Sequence, residues 1–103
     1  MKNIGLLIRI KSKPESSERV AQLLEKAVNM VKNEMHTLTW YSFRIDKDTF
    51  GVFDTFNDEI GREAHLRGAL LQLLTDKTEE LLIGPPEIEK IQILSAKEFK
   101  TID

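Results

Sequence analysis

"HTLTWYSFRIDKDTFGVFDTF", residues 36–56, decides the fold. Two runs rich in Thr, Trp, Tyr, Phe, Ile and Val flank the polar break Asp46–Lys47–Asp48, which is the pattern of a β-hairpin. Alternation gives each run two faces. In the first, Leu38, Trp40, Ser42 and Arg44 point one way, and Thr39, Tyr41, Phe43 and Ile45 the other. In the second, Phe50, Val52, Asp54 and Phe56 oppose Gly51, Phe53 and Thr55. Setting Ile45 across from Phe50 gathers Tyr41, Phe43, Ile45, Phe50, Val52, Asp54 and Phe56 on one side. Asp54 is then the only charge on that side.

Outward from the hairpin, the elements fall in a readable order. Residues 3–11, "NIGLLIRIK", form a strand with Ile4, Leu6, Ile8 and Ile10 on one face and Gly5, Leu7 and Arg9 on the other. Pro14 and the acids after it mark a helix entry. That helix spans 15–33, with Val20, Leu23, Leu24, Ala27, Val28 and Val31 as its apolar stripe. After the hairpin, Asn57 is a good N-cap, and Asp58 and Glu59 suit a first turn. A short helix over 58–68 is followed by a second over 69–83, whose apolar side is Leu70, Leu73, Leu74, Leu81 and Leu82. "IGPP" stops it. "EIEKIQILSAKEF", residues 87–99, is the last strand, with Ile91 and Ile93 on one face and Leu94 and Ala96 on the other.

The order β-α-β-β-α-β predicts a ferredoxin-like α+β fold: a four-stranded antiparallel sheet with the helices on one face. Its other face is then open and largely apolar, which is the mark of an association surface. A two-fold homodimer packed sheet on sheet is the expected partner arrangement.

Composition agrees with one soluble domain over 1–103. The chain has 103 residues, 41% hydrophobic and 31% charged. A net charge of −2 gives no electrostatic case for nucleic acid or an anionic membrane. The absence of cysteine excludes disulfides, thiolate metal sites and a cysteine nucleophile, and it fits a cytoplasmic location. No apolar run nears the roughly 20 residues of a membrane span. "MKNIGLLIRIKSK" lacks the features of a signal peptide.

Chemistry centres on residues 54–68. At 100° per residue, Ile60, Gly61, Ala64, His65 and Gly68 share one sector of the short helix. Such a small face lets the helix approach the sheet closely or leaves a void, with His65 at its edge. Asp54 would point into that space from the sheet. An aspartate can orient one imidazole nitrogen while the other takes a proton from an acidic hydroxyl. The alternative is purely structural: His65 bonded to a backbone carbonyl, Asp54 to backbone N–H groups. Tyr41, Phe43, Phe56 and Trp40 are candidate pocket walls, and Arg44 or Arg9 a candidate anion ligand. Strand aromatics also serve as core, and exposed strand ends also explain the arginines. His36 falls in a loop and is expected to be solvated. Two distant histidines without ligand spacing give no metal site. No glycine-rich phosphate loop or nucleophile elbow is present.

With these elements in place, the chain resembles the antibiotic biosynthesis monooxygenase family, a branch of the dimeric α/β-barrel proteins. "LLIRIKSKPESSERVAQLLEKAV" (6–28), "GVFDTFNDEIGREAHLRGALLQLL" (51–74) and "IEKIQIL" (88–94) carry the resemblance. It implies a ferredoxin-like domain that dimerises into a barrel. It also implies cofactor-free oxygenation of a quinol or polyketide-type phenol: deprotonation gives an anion that donates an electron to O2 without metal or flavin. The family's strand acid falls on Asp54 and its helix histidine on His65. Phe56 stands where the family often has tryptophan. Leu70 stands near the place of a second histidine found in quinol-oxygenase members. Ile8, before Arg9, stands where haem-degrading members carry asparagine, so haem degradation is not implied. The expected function is a cofactor-independent monooxygenase with His65 as base and Asp54 as its orienter. The alternative is a non-catalytic dimeric module that binds a small ligand.

Overall fold

A computed structural model describes residues 3–98. The elements are β1 (Ile4–Lys11), α1 (Ser17–Val31), β2 (Thr37–Asp46), β3 (Thr49–Phe56), α2 (Glu59–Leu66), α3 (Ala69–Leu81) and β4 (Glu87–Gln92). The strands form one antiparallel sheet in the order β2-β3-β1-β4. This is the ferredoxin-like architecture that the apolar periodicities predict.

The core is built from one row of each central strand and one stripe of each long helix. In β1 and β3, Ile10 lies opposite Phe50, Ile8 opposite Val52, Leu6 opposite Asp54 and Ile4 opposite Phe56. Every one of these except Ile4 is essentially fully buried. Val20, Leu24, Ala27 and Val31 of α1 close over them, with Leu70, Leu71, Leu74 and Leu81 of α3. Removing such apolar area from water supplies most of the driving force, at about 25 cal/mol per Å2. Val28, part of the expected stripe, is 42% exposed, because α1 presents a narrower face than its sequence pattern. Pro14–Ser16 form a 3-10 turn ahead of α1, so the α-helix proper starts two residues later than expected.

The hairpin register differs from the expected one. Arg44, not Ile45, lies opposite Phe50, and the pairing is irregular between Arg44 and Asp46. The cause is the tight turn: Asp46 pairs with Thr49, and the Asp46 Oδ1 accepts a 3.0 Å bond from the Asp48 N–H. Closing there leaves Ile45 as the extra residue of a bulge. A one-residue slip inverts every side chain beyond it. Trp40, Ser42 and Arg44 therefore share the helix-covered face with Phe50, Val52 and Asp54, whereas Tyr41 and Phe43 lie on the open face beside Phe53 and Gly51. A Cβ at Gly51 would collide with the Phe43 ring, so a larger residue there would push that exposed ring aside.

The helix after β3 also differs in detail. Asp58, not Asn57, caps α2, accepting a 2.8 Å bond from the Gly61 N–H. The buried positions of α2 are Gly61, Arg62 and His65, while Ile60 is 75% exposed and Ala64 is exposed. Gly68 lies outside α2, as the N-cap of α3. The inward sector is thus centred nearer His65 than the expected Ile60–Ala64–Gly68 line. Polar anchors set this phase: Arg62 Nη1 donates 3.1 Å to the Gly5 carbonyl, and His65 meets the sheet.

β4 is shorter than expected. Residues 93–98 continue outside any strand, although the Ile93 N–H donates 2.8 Å to the Asn3 carbonyl. Phe99, the end of the expected strand, lies outside the described residues. Leu7 and Phe53 are paired on the open face, with Ile91 beside Gly5. All three are half-buried, Tyr41 is 59% exposed and Phe43 38%. Among the described residues no helix is long and apolar enough to cross a membrane.

Candidate active site

Asp54 occupies the helix-covered row of β3, between Leu6 and Trp40, and its side chain is 0% exposed. His65 projects from α2 onto it, itself 1% exposed, with Nε2 2.9 Å from Asp54 Oδ2. The N–H does not aim along that line, so neither Asp54 oxygen has a well-aligned donor, and the contact is an ion pair. The Phe56 ring lies 5.3 Å from the imidazole, tilted by 47°.

The other ring nitrogen is occupied as well. His65 Nδ1 lies 2.7 Å from Oε1 of Glu34, in the loop between α1 and β2. The Thr37 hydroxyl donates to the same oxygen at 2.7 Å. Backbone bonds hold the loop in place, Glu34 N–H to the Val31 carbonyl and Asn57 N–H to the His36 carbonyl. The loop packs directly on α2: a Cβ added at Gly61 would come within 2.6 Å of the His36 Cβ. Gly61 therefore serves the approach of the loop. The space expected beneath a thin helix face is filled by protein. His36 is exposed, as expected, but its Cβ is part of this contact.

The result is a linear array, Asp54–His65–Glu34, from the core to a side chain that is 29% exposed. Its electrostatics favour one protonation state. Burial raises the Asp54 pKa above the usual carboxylate value, although His65 opposes the rise. For His65, burial works to lower the pKa, yet the Asp54 and Glu34 carboxylates outweigh it and raise it. An imidazolium, hydrogen-bonded to Glu34 through Nδ1 and held by charge beside Asp54 at Nε2, is therefore the favoured form. The two carboxylates lie on opposite nitrogens, so their oxygens diverge instead of converging on a cation. No group of three potential metal ligands occurs among the described residues.

The other expected site residues separate. Trp40 lies across from Asp54 and packs against the core, and Phe56 touches His65. Tyr41 and Phe43 are on the opposite side of the sheet from Asp54, because of the Ile45 bulge, and do not wall the array. Arg44 pairs with Glu18 at 3.0 Å and lies 4.9 Å over the Phe50 ring, away from His65. Arg9 is exposed and 3.9 Å from Glu89. Neither Asp54 nor His65 lines any of the four main cavities among the described residues. Glu34 escaped the sequence reading because a loop acid carries no periodic signal. Its one trace is Thr37, three residues on, which shares its oxygen.

This chain closely resembles a solved protein of unknown function, NE2512 from Nitrosomonas europaea: 37% identity over 98% of both chains, with a TM-score of 0.91. The chain belongs to the NE2512 family. Two more distant structures share the fold. PA3566 from Pseudomonas aeruginosa is 20% identical over 92% of this chain and 97% of its own, with a TM-score of 0.77. A structure named antibiotic biosynthesis monooxygenase is 15% identical over 89% of this chain and 99% of its own, with a TM-score of 0.75. The resemblance read from residues 6–28, 51–74 and 88–94 is thus borne out in the fold that this NE2512-family chain adopts. No protein-family model matches the chain, and no curated protein matches it significantly.

Proposed function

We propose that the protein is a cytoplasmic, cofactor-independent monooxygenase of a small aromatic hydroxy compound, a quinol or polyketide-type phenol. The imidazole of His65, clamped between buried Asp54 and half-exposed Glu34, is the observation that carries this reading. The fold shared with a structure named antibiotic biosynthesis monooxygenase agrees with it. The lack of cysteine suits a reducing compartment.

An incoming hydroxyl takes the place of Glu34 on Nδ1. Losing one of two carboxylates lowers the proton affinity of the ring, and Glu34 carries the released proton toward solvent. Neutral His65 then accepts the hydroxyl proton, and Asp54 stabilises the imidazolium that forms. The substrate anion passes one electron to O2, and recombination forms the new C–O bond. One oxygen atom stays as a ring carbonyl; the other leaves as water with two hydrogens from the substrate. Trp40 and Phe56, on the helix-covered face, supply the aromatic wall. Tyr41, Phe43 and Phe53 belong instead to the open face, where a second copy of the chain packs sheet on sheet.

Oxygen uptake with a panel of quinols and anthrones tests the reading. Uptake is expected from the wild type and is lost in His65→Ala. An inert wild type, or equal uptake by the variant, would sink it. The rival, a non-catalytic binding module, has one observation in its favour: neither His65 nor Asp54 lines any of the four main cavities among the described residues. There the array is a structural clamp, and aromatic ligands raise the melting temperature without turnover.

A further inference from the structure

Arg62 is only 8% exposed, yet its charge is nearly unpartnered. Nη1 donates to the Gly5 carbonyl at 3.1 Å, and buried Nε has no acceptor among the described residues. None of their ion pairs includes it. A buried guanidinium holds five N–H donors in a planar fork, and leaving them unmade is costly. Arg62 also lines an open cavity of about 450 Å3, together with Asn3, Ile4, Glu59, Ile91 and Gln92, with Lys90 at the same wall. That volume lies within the usual range of small-molecule sites.

We infer that this cavity binds the carboxylate of a small organic acid, held by Arg62. The fork matches a planar two-oxygen anion. The amides of Asn3 and Gln92 offer further donors, and Ile4, on the helix-covered row of β1, offers an apolar wall for the body of the acid. Lys90 is engaged by Glu63 at 2.6 Å, so among the described residues Arg62 is the cation of the wall without a carboxylate partner. Glu59 on the same wall repels extra negative charge and so favours a monoanion over phosphate. The site shares no lining residue with the Asp54–His65–Glu34 array and stands whether or not that array is catalytic.

The test is a titration of the full chain with sodium benzoate, against sodium chloride at equal ionic strength, reading the Arg62 Nε–H resonance by NMR. A saturable shift with benzoate, absent with chloride, is expected. Arg62→Gln weakens binding by about tenfold or more, the loss of a charge-assisted pair. Arg62→Lys, which keeps the charge without the fork, falls between, and Glu59→Gln binds more tightly. Should either Arg62 variant not fold, the wild-type resonance and Glu59→Gln decide the matter. No saturable shift, tighter binding of inorganic phosphate, or a Glu59→Gln variant that binds no better would overturn the inference.

Discussion

Glu34 Oε1 lies 2.7 Å from His65 Nδ1, joining the loop before the hairpin to the helix after it. This contact changes the chemistry available to His65. A ring expected to keep one nitrogen free for substrate has both nitrogens committed to carboxylates. Any proton transfer at His65 must therefore begin by disturbing Glu34.

Removing the imidazole leaves two carboxylates facing one another in a poorly solvated site. His65→Ala is expected to cost about 3–5 kcal/mol, the usual loss when one partner of a buried ion pair is deleted. Urea denaturation measures it. A loss below about 1 kcal/mol would mean that the array is not structurally coupled.

Glu34→Gln keeps an oxygen for Thr37 but removes one charge from the ring. The raised His65 pKa should fall, because Glu34 contributes to that rise. An NMR titration of the imidazole against pH reads the shift directly. An unchanged midpoint would show that Asp54 alone holds the proton.

The same linkage makes stability depend on pH. His65 has a folded pKa raised above 6.5. Its contribution is complete below 6.5 and is lost as pH rises through the folded value. Asp54, raised above 3.8, works in the same direction at its own, lower starting point. The urea midpoint should therefore decline as pH climbs above 6.5, and His65→Gln should flatten that decline. A midpoint that rises over this window would contradict the assigned protonation state.

Gly61→Ala places a methyl group 2.6 Å from the His36 Cβ. The loop must retreat, at a cost of about 1–3 kcal/mol for overpacking. Because Glu34 rides on that loop, the His65 pKa should fall in this variant too. Thermal melts and the same NMR titration test the two effects separately.

The open face gives a fifth expectation. Phe53→Lys, beneath the exposed Tyr41, should convert a dimer to a monomer in sedimentation velocity while leaving the helix-covered core intact. A wild type that sediments as a monomer would remove the proposed sheet-on-sheet assembly.

The element order is legible in sequence, and a contact between Asp54 and His65 is one of the two readings it offers, for physical reasons. Ile4–Ile10 alternates with period two, Val20–Val31 recurs with the helical period, and α2 follows β3 closely enough for His65 to fold back over Asp54. The rest depended on tertiary detail. The Ile45 bulge arises from where the turn closes, and the apolar pattern of the strand does not encode it. The phase of α2 follows Arg62 and His65 finding polar partners, against the pull of Ile60. Glu34 joins the site through loop packing on Gly61, which a pattern of residue types along the chain does not express.

The bulge at Ile45 also isolates the turn from the rest of β2. Arg44 pairs with Phe50 on one side of it and Asp46 with Thr49 on the other. Deleting Ile45 would therefore remove an unpaired residue and keep Trp40 inward and Tyr41 and Phe43 outward. What would change is the bend and twist that an extra residue gives its strand. The end of the hairpin can thus be reshaped without re-sorting the aromatic side chains between the two sides of the sheet.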